Sequence, residues 1–91
     1  MAKNGQVTIE FFGIPRQRAG RAELVVPAGT VAEVLQAVTR ACPGLEGLLT
    51  PAGQLAPHYR VSLNGQRFVQ ELRDSLVPGE RLLILSADAG R

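Results

Sequence analysis

One amphipathic helix with a complete N-terminal cap lies in the middle of a chain that otherwise has the pattern of short strands. Thr30 and Glu33 have the spacing of a capping box, in which each side chain accepts a hydrogen bond from the other residue's amide. Pro43-Gly44 ends the helical pattern. The apolar residues that recur on one helix face are Val31, Val34, Leu35, Val38 and Cys42. One helix covers one face of a sheet, so the other face is left open.

Five short segments have the alternating or apolar pattern of β-strands. We predict strands over residues 7–11, 22–26, 59–63, 66–69 and 80–85. Asn64-Gly65 is typical of a tight hairpin turn. Residues 16–20 are predicted to form a polar loop, and residues 45–58 an irregular connection that Leu48, Leu49 and Leu55 anchor to the core.

The order of elements is strand, strand, helix, strand, strand, strand. If the first and last strands lie side by side, they are parallel and central in a mixed sheet. This is an α+β, β-grasp (ubiquitin-like) layout, with one sheet face covered by a single main helix. We predict a β-grasp domain over residues 1–85 and a flexible C-terminal tail over residues 86–91, which consists of small or polar residues.

The alternation of the strands assigns residues to the two faces of the sheet. The residues that should point towards the helix are Val7, Ile9, Phe11, Leu82 and Ile84. Phe12, Leu83 and Leu85 are then left on the open face. Because contiguous exposed apolar residues often mark an interface, we predict a partner-binding patch that leads towards the tail.

Composition and charge exclude several classes of function. With four aromatic residues and no basic stripe among 91 residues, nucleic-acid binding is poorly supported. Residues 1–6 lack the apolar core of a signal peptide and no stretch approaches a membrane span, so we predict a cytoplasmic protein that binds no membrane. The one cluster of positive charge, Arg16, Arg18 and Arg21, either meets an acidic partner or forms a solvated loop.

The usual catalytic and metal-binding sets of residues are missing from the sequence. Cys42 is the only cysteine and continues the apolar helix face, so we predict a structural role for it. His58 is the only histidine, has no second ligand at a metal-like spacing, and is predicted to lie in a surface loop. Gly5, Gly20 and Gly29 form no phosphate-binding loop, so we expect this chain to bind no cofactor.

Six stretches follow one another in an order that is more specific than any one of them. They are VTIEFFG at residues 7–13, VPAGTV at 26–31, ACPGL at 41–45, VSLNG at 61–65, LVPGERL at 76–82 and the tail SADAG at 86–90. This ordered set resembles the MoaD/ThiS family of ubiquitin-like sulfur carriers. The resemblance is nearer to the MoaD branch, the small subunit of molybdopterin synthase.

The resemblance implies a mechanism in which the chain has no catalytic side chains of its own. A ubiquitin-activating-like adenylyltransferase would bind ATP and adenylate the terminal glycine carboxylate, and a sulfur donor protein would replace AMP to leave a thiocarboxylate. The tail would then insert into the large subunit of molybdopterin synthase and deliver sulfur to the pterin precursor. The resemblance makes Gly90 the carrier residue, with Ala87, Asp88 and Ala89 binding the partner.

The tail departs from the family in its last residue. Family members usually end in Gly-Gly, whereas Ala89-Gly90 is followed here by Arg91. Arg91 is removed by a peptidase, or it blocks activation, or the chain is a binding subunit without thiocarboxylate chemistry. Three functions therefore stay open: a sulfur carrier for molybdenum- or tungsten-cofactor biosynthesis, a ubiquitin-like modifier joined to lysines, and a non-catalytic interaction subunit.

Overall fold

The computed structural model describes residues 5–69 and 71–87 of the chain. Its elements, in chain order, are β1 (Gln6–Phe11), α1 (Ile14–Ala19), β2 (Glu23–Pro27), α2 (Val31–Ala41), a 3₁₀ helix (Pro43–Leu48), β3 (Tyr59–Leu63), β4 (Arg67–Phe68) and β5 (Arg81–Ser86). The five strands form one sheet in the order β2-β1-β5-β3-β4. β1 and β5 pair in parallel, and the other pairs are antiparallel. The fold is therefore the predicted β-grasp, with the first and last strands adjacent.

The capping box of α2 forms as the sequence predicts. The Thr30 Oγ1 accepts from the Glu33 backbone N at 3.1 Å, and the Thr30 backbone N donates to Glu33 Oε1 at 3.0 Å. Every apolar residue predicted for the inner helix face is buried, including Cys42, which follows the helix as its C-cap. The single main helix is thus fixed at its N-terminus by local hydrogen bonds and along its length by burial.

The central strands bring the core residues of the sheet into register beneath α2. Ile9 lies opposite Leu82, and Phe11 lies opposite Ile84. Val61 lies opposite Ile84 on the other side of β5. All of these side chains are essentially inaccessible to solvent. The predicted assignment of inward-facing residues on the first and last strands is confirmed.

The predicted polar loop over residues 16–20 is wrong, because most of this segment belongs to α1. Pro15 occupies the first turn of this short helix and is buried, and Gly20 ends it in the left-handed conformation with φ of 74°. A Cβ added at Gly44 would overlap the backbone carbonyl of Arg18, so α1 packs closely against the start of the 3₁₀ helix. A helix of six residues is too short to be stable alone, and tertiary packing supplies the stability that local sequence does not.

The connection before β3 is more ordered than the sequence indicates. It begins with the 3₁₀ helix and continues through a turn whose ends meet in a bridge between Leu49 and Leu55. Leu48 is buried, and Leu49 and Leu55 pack partly buried against the core, as predicted. No helix within residues 5–69 and 71–87 has the length and apolar character needed to span a membrane.

Candidate functional site

The open face of the sheet carries an apolar patch along the two central strands. Leu83 lies opposite Glu10 of β1, and both Leu83 and Leu85 are half-buried. Phe12 follows β1, its backbone N donates to the Ile84 carbonyl at 3.0 Å, and its side chain is 46% exposed. The structure therefore brings together the three residues that the sequence assigned to this face. Their role in binding a partner stays a prediction.

Phe68 extends this patch, and the sequence did not identify it. Ser62 lies opposite both Leu83 and Phe68, so Phe68 occupies the same row and face as Leu83, and it is 50% exposed. The guanidinium carbon of Arg60 lies 5.3 Å from the centre of its ring, within range of a cation–π contact. We call Phe12, Phe68, Leu83 and Leu85 the apolar patch.

A shift in the register of the β3–β4 hairpin explains why Phe68 was missed. Asn64 and Gly65 have φ angles of 55° and 71°, and the Gln66 backbone N donates to the Leu63 carbonyl at 3.0 Å. A regular two-residue turn would place Phe68 opposite Val61, facing the core. In the observed pairing Phe68 lies opposite Ser62 instead. This shift of one residue turns its side chain from the core face of the sheet to the open face. A tight-turn motif in the sequence does not reveal such a shift.

Three charged side chains lie beside the patch, towards the end of the open face where β5 begins. Arg81 Nη1 forms ion pairs with Glu10 Oε2 and, at 3.6 Å, with Glu23 Oε2. All three side chains are partly exposed to solvent, so the pairs contribute little to stability. Arg81 thus supplies one positive charge to two carboxylates, and this group of three side chains keeps one net negative charge next to Leu83.

The beginning of the predicted tail continues the sheet. Ser86 is the last residue of β5 and lies opposite Tyr59, and the Ala87 backbone N donates to the His58 carbonyl at 2.8 Å. Ala87 is therefore placed along β3, next to the end of the apolar patch. The other residues that the sequence assigned to the site, Asp88, Ala89 and Gly90, lie outside the described residues, as does Arg91.

The arginine cluster lies on α1 and just after it, at the end of the sheet from which the tail leaves. Arg18 Nη1 donates to the hydroxyl of Tyr59 at 3.0 Å. Arg16 and Phe12 line the same shallow depression of about 120 Å³, together with Glu10 and Glu23. Arg21 and Arg16 both border a second, open depression of about 580 Å³. The cluster therefore adjoins both the apolar patch and the start of the tail.

Cys42 and His58 are the two residues whose side chains could have taken part in sulfur or metal chemistry, and each lies where the sequence predicts. Cys42 is 1% exposed and belongs to the core, which confirms its predicted role. His58 is exposed, and its ring centroid lies 5.5 Å from that of Tyr59. Within the described ranges, no three His, Cys, Asp or Glu residues are grouped so that they could hold a metal ion.

Sequence comparison alone finds no relatives. No protein-family model matches the chain, and no curated protein matches it significantly.

Comparison of the structure finds close neighbours over nearly the whole chain. The crystal structure of SAMP1 from Haloferax volcanii matches with a TM-score of 0.80 and 25% identity, over 96% of this chain and 100% of SAMP1. A chain of the BexX/CysO complex from Amycolatopsis orientalis matches with a TM-score of 0.77 and 26% identity, over 93% of this chain and 99% of its own. Both neighbours therefore share the complete domain.

A third neighbour shares the fold at lower identity. It is a chain of the complex of subunits 1 and 2 of the molybdopterin-converting factor from Helicobacter pylori, with a TM-score of 0.65 and 20% identity. The match covers 94% of this chain and 99% of that one. Two of these three similar structures are thus protein–protein complexes.

Proposed function

We propose that this chain, whose structure is similar to those of MoaD/ThiS-type ubiquitin-like sulfur carriers, carries sulfur as a C-terminal thiocarboxylate for molybdopterin biosynthesis. The observation that carries the proposal is the position of the apolar patch on β5, the strand that leads into the tail, and on β1 beside it. A protein that covers the patch is brought directly to the tail. In this proposal, docking on the patch also delivers the reactive end.

In this proposal Gly90 is the residue that is activated, once Arg91 has been removed. The Gly90 carboxylate attacks the α-phosphorus of ATP and releases pyrophosphate, which leaves an acyl-adenylate. Hydrosulfide supplied by the donor protein then attacks the acyl carbon, the bond from that carbon to the AMP oxygen breaks, and loss of the S–H proton leaves the thiocarboxylate and AMP. A glycine suits this position because it has no Cβ to collide with the narrow sites that the carbonyl must enter.

The chain itself contributes a docking surface and a carboxylate, and its partners contribute the rest. A ubiquitin-activating-like adenylyltransferase binds ATP, so this chain needs no cofactor of its own. The large subunit of molybdopterin synthase then receives the tail and transfers the sulfur to the pterin precursor. Support comes from the two neighbours that were solved as complexes with another protein. Because activation uses ATP, we place the protein in the cytoplasm.

A second candidate is a ubiquitin-like modifier, which the similarity to SAMP1, a small archaeal modifier protein, favours. The same acyl-adenylate would then be captured by a lysine amine of another protein to form an amide. The two functions share their first chemical step and differ in the nucleophile that follows. A third candidate, a binding subunit that keeps Arg91, would use the apolar patch alone.

The intact mass of the protein isolated from its native cell separates these functions. A sulfur carrier should have lost the mass of one arginine residue and, in part of the population, exchanged one oxygen for sulfur. A modifier should instead appear in high-mass conjugates that disappear when Gly90 is deleted. Protein that keeps Arg91 and has no modified form would contradict both and leave the binding subunit.

A further inference from the structure

The end of the sheet that leads into the tail is surrounded by four arginines, which we call the arginine collar: Arg16, Arg18, Arg21 and Arg60. Arg60 lies opposite Leu85 on the open face, while Arg16 borders the depression that also contains Phe12. Arg18 reaches Tyr59, the residue opposite Ser86. Arg60 thus adjoins the end of β5 from β3, whereas Arg16 and Arg18 approach it from α1.

The collar is exposed and forms no ion pair within the described residues. Within residues 5–69 and 71–87, the arginines that form ion pairs are Arg73 and Arg81, and neither belongs to the collar. Glu10 and Glu23 line the depression that contains Arg16, but their ion pairs are with Arg81 and not with the collar. No ion pair among the described residues therefore occupies these four guanidinium groups, which are exposed where a partner would approach the tail.

We propose that the arginine collar docks on an acidic rim of the protein partner that takes up the tail. The inference rests on the proposed function, since it assumes a protein partner at this end of the sheet. A partner that encloses the tail must cover part of the collar, and covering guanidinium groups without carboxylates would cost free energy. Arginine also binds carboxylates through two parallel hydrogen bonds, which fixes the orientation of the docked surfaces.

The apolar patch indicates that the partner that binds the collar is a protein and not a nucleic acid. Leu83 and Leu85 adjoin the collar and would be covered by the same partner. A phosphate backbone offers these leucines no apolar counterpart. The two exposed rings of this face, Phe12 and Phe68, are separated by β5 and β3, so they form no continuous row on which bases could stack. A protein with an apolar centre and an acidic edge matches both parts of the surface.

Charge reversal in the collar, with a matched reversal elsewhere, tests this proposal. The dissociation constant for the adenylyltransferase of the same organism would be measured by calorimetry with the full chain. Arg16→Glu should raise it about tenfold in low salt, and the difference from the wild type should shrink at about 0.3 M salt. Arg40→Glu at the end of α2 makes the same change in net charge on another exposed arginine and should stay within about twofold.

Two further variants test whether the effect of Arg16→Glu comes from its charge or from a disturbed α1. Arg16→Lys keeps the charge and should keep most of the affinity. Arg21→Glu reverses a charge just outside α1, so it tests the collar even if Arg16→Glu disturbs that helix. Equal affinity of the Arg16, Arg21 and Arg40 reversals in both salt conditions would overturn the collar and leave the proposed function standing. Wild-type protein that does not bind the enzyme would overturn both. Tighter binding of a single-stranded oligonucleotide than of the enzyme would overturn the acidic-protein assignment.

Discussion

Arg18 donates a hydrogen bond from Nη1 to the hydroxyl of Tyr59 at 3.0 Å, across 41 residues of sequence. Tyr59 lies opposite Ser86, the last residue of β5, so this bond joins α1 to the strand beside the start of the tail. This hydrogen bond therefore connects α1, a helix that the sequence did not predict, to the end of the sheet for which we propose a function.

Tyr59→Phe removes the acceptor and should loosen α1 more than the sheet. We expect a loss of about 1 kcal/mol in the free energy of unfolding, since the ring remains in place and only the hydrogen bond is lost. Hydrogen exchange should quicken at the amides of α1 and stay unchanged in β3 and β5. A double-mutant cycle with Arg18→Gln supplies the control, because independent effects of the two changes would contradict a direct bond.

Phe12→Arg should weaken binding to the adenylyltransferase or the large subunit by at least about tenfold, because Phe12 belongs to the apolar patch. The melting temperature should change little, since the side chain is already 46% exposed. Val77→Arg is the matched control: Val77 is 63% exposed and lies outside the patch. A large loss of stability in Phe12→Arg would mean that Phe12 belongs to the core.

Gly44→Ala should lower the free energy of unfolding by about 2 kcal/mol, because the new methyl group would overlap the Arg18 carbonyl and push α1 away. Gly47→Ala lies in the same 3₁₀ helix and is the control. A Cβ there meets nothing within 4 Å, so we expect less than about 0.5 kcal/mol. Chemical denaturation measures both, and equal effects would show that α1 does not pack against Gly44.

Thr30→Ala should lower the free energy of unfolding by about 1 kcal/mol, since the Glu33 amide loses its capping acceptor. Thr39→Ala provides the comparison inside the same helix. Its hydroxyl donates only to the Gln36 carbonyl of the helix itself, and alanine is the better helix former. Urea unfolding should therefore place Thr39→Ala at or above the wild-type stability. If Thr30→Ala is as stable as the wild type, the capping box does not stabilise the helix.

Part of the candidate site could be predicted because it depends on the two-residue period of a strand. Phe12, Leu83 and Leu85 were assigned to the open face from alternation alone, and the structure places them there. Phe68 was not found, because its face depends on a one-residue shift in the β3–β4 pairing. No local pattern in the sequence encodes that shift. The position of Gly90 lies outside the described residues, so its role rests on the family resemblance and stays a proposal.

The sequence by itself determined α2, its cap, and the inward and outward residues of the central strands. These features arise from hydrogen bonds and side-chain periods that act within a few residues, so a local pattern is enough to specify them. Only the tertiary structure decided that residues 14–19 are helical and that the arginines lie beside the start of the tail. Those outcomes depend on Gly44 and Tyr59, which are distant in sequence and come within contact distance of α1 only when the chain is folded.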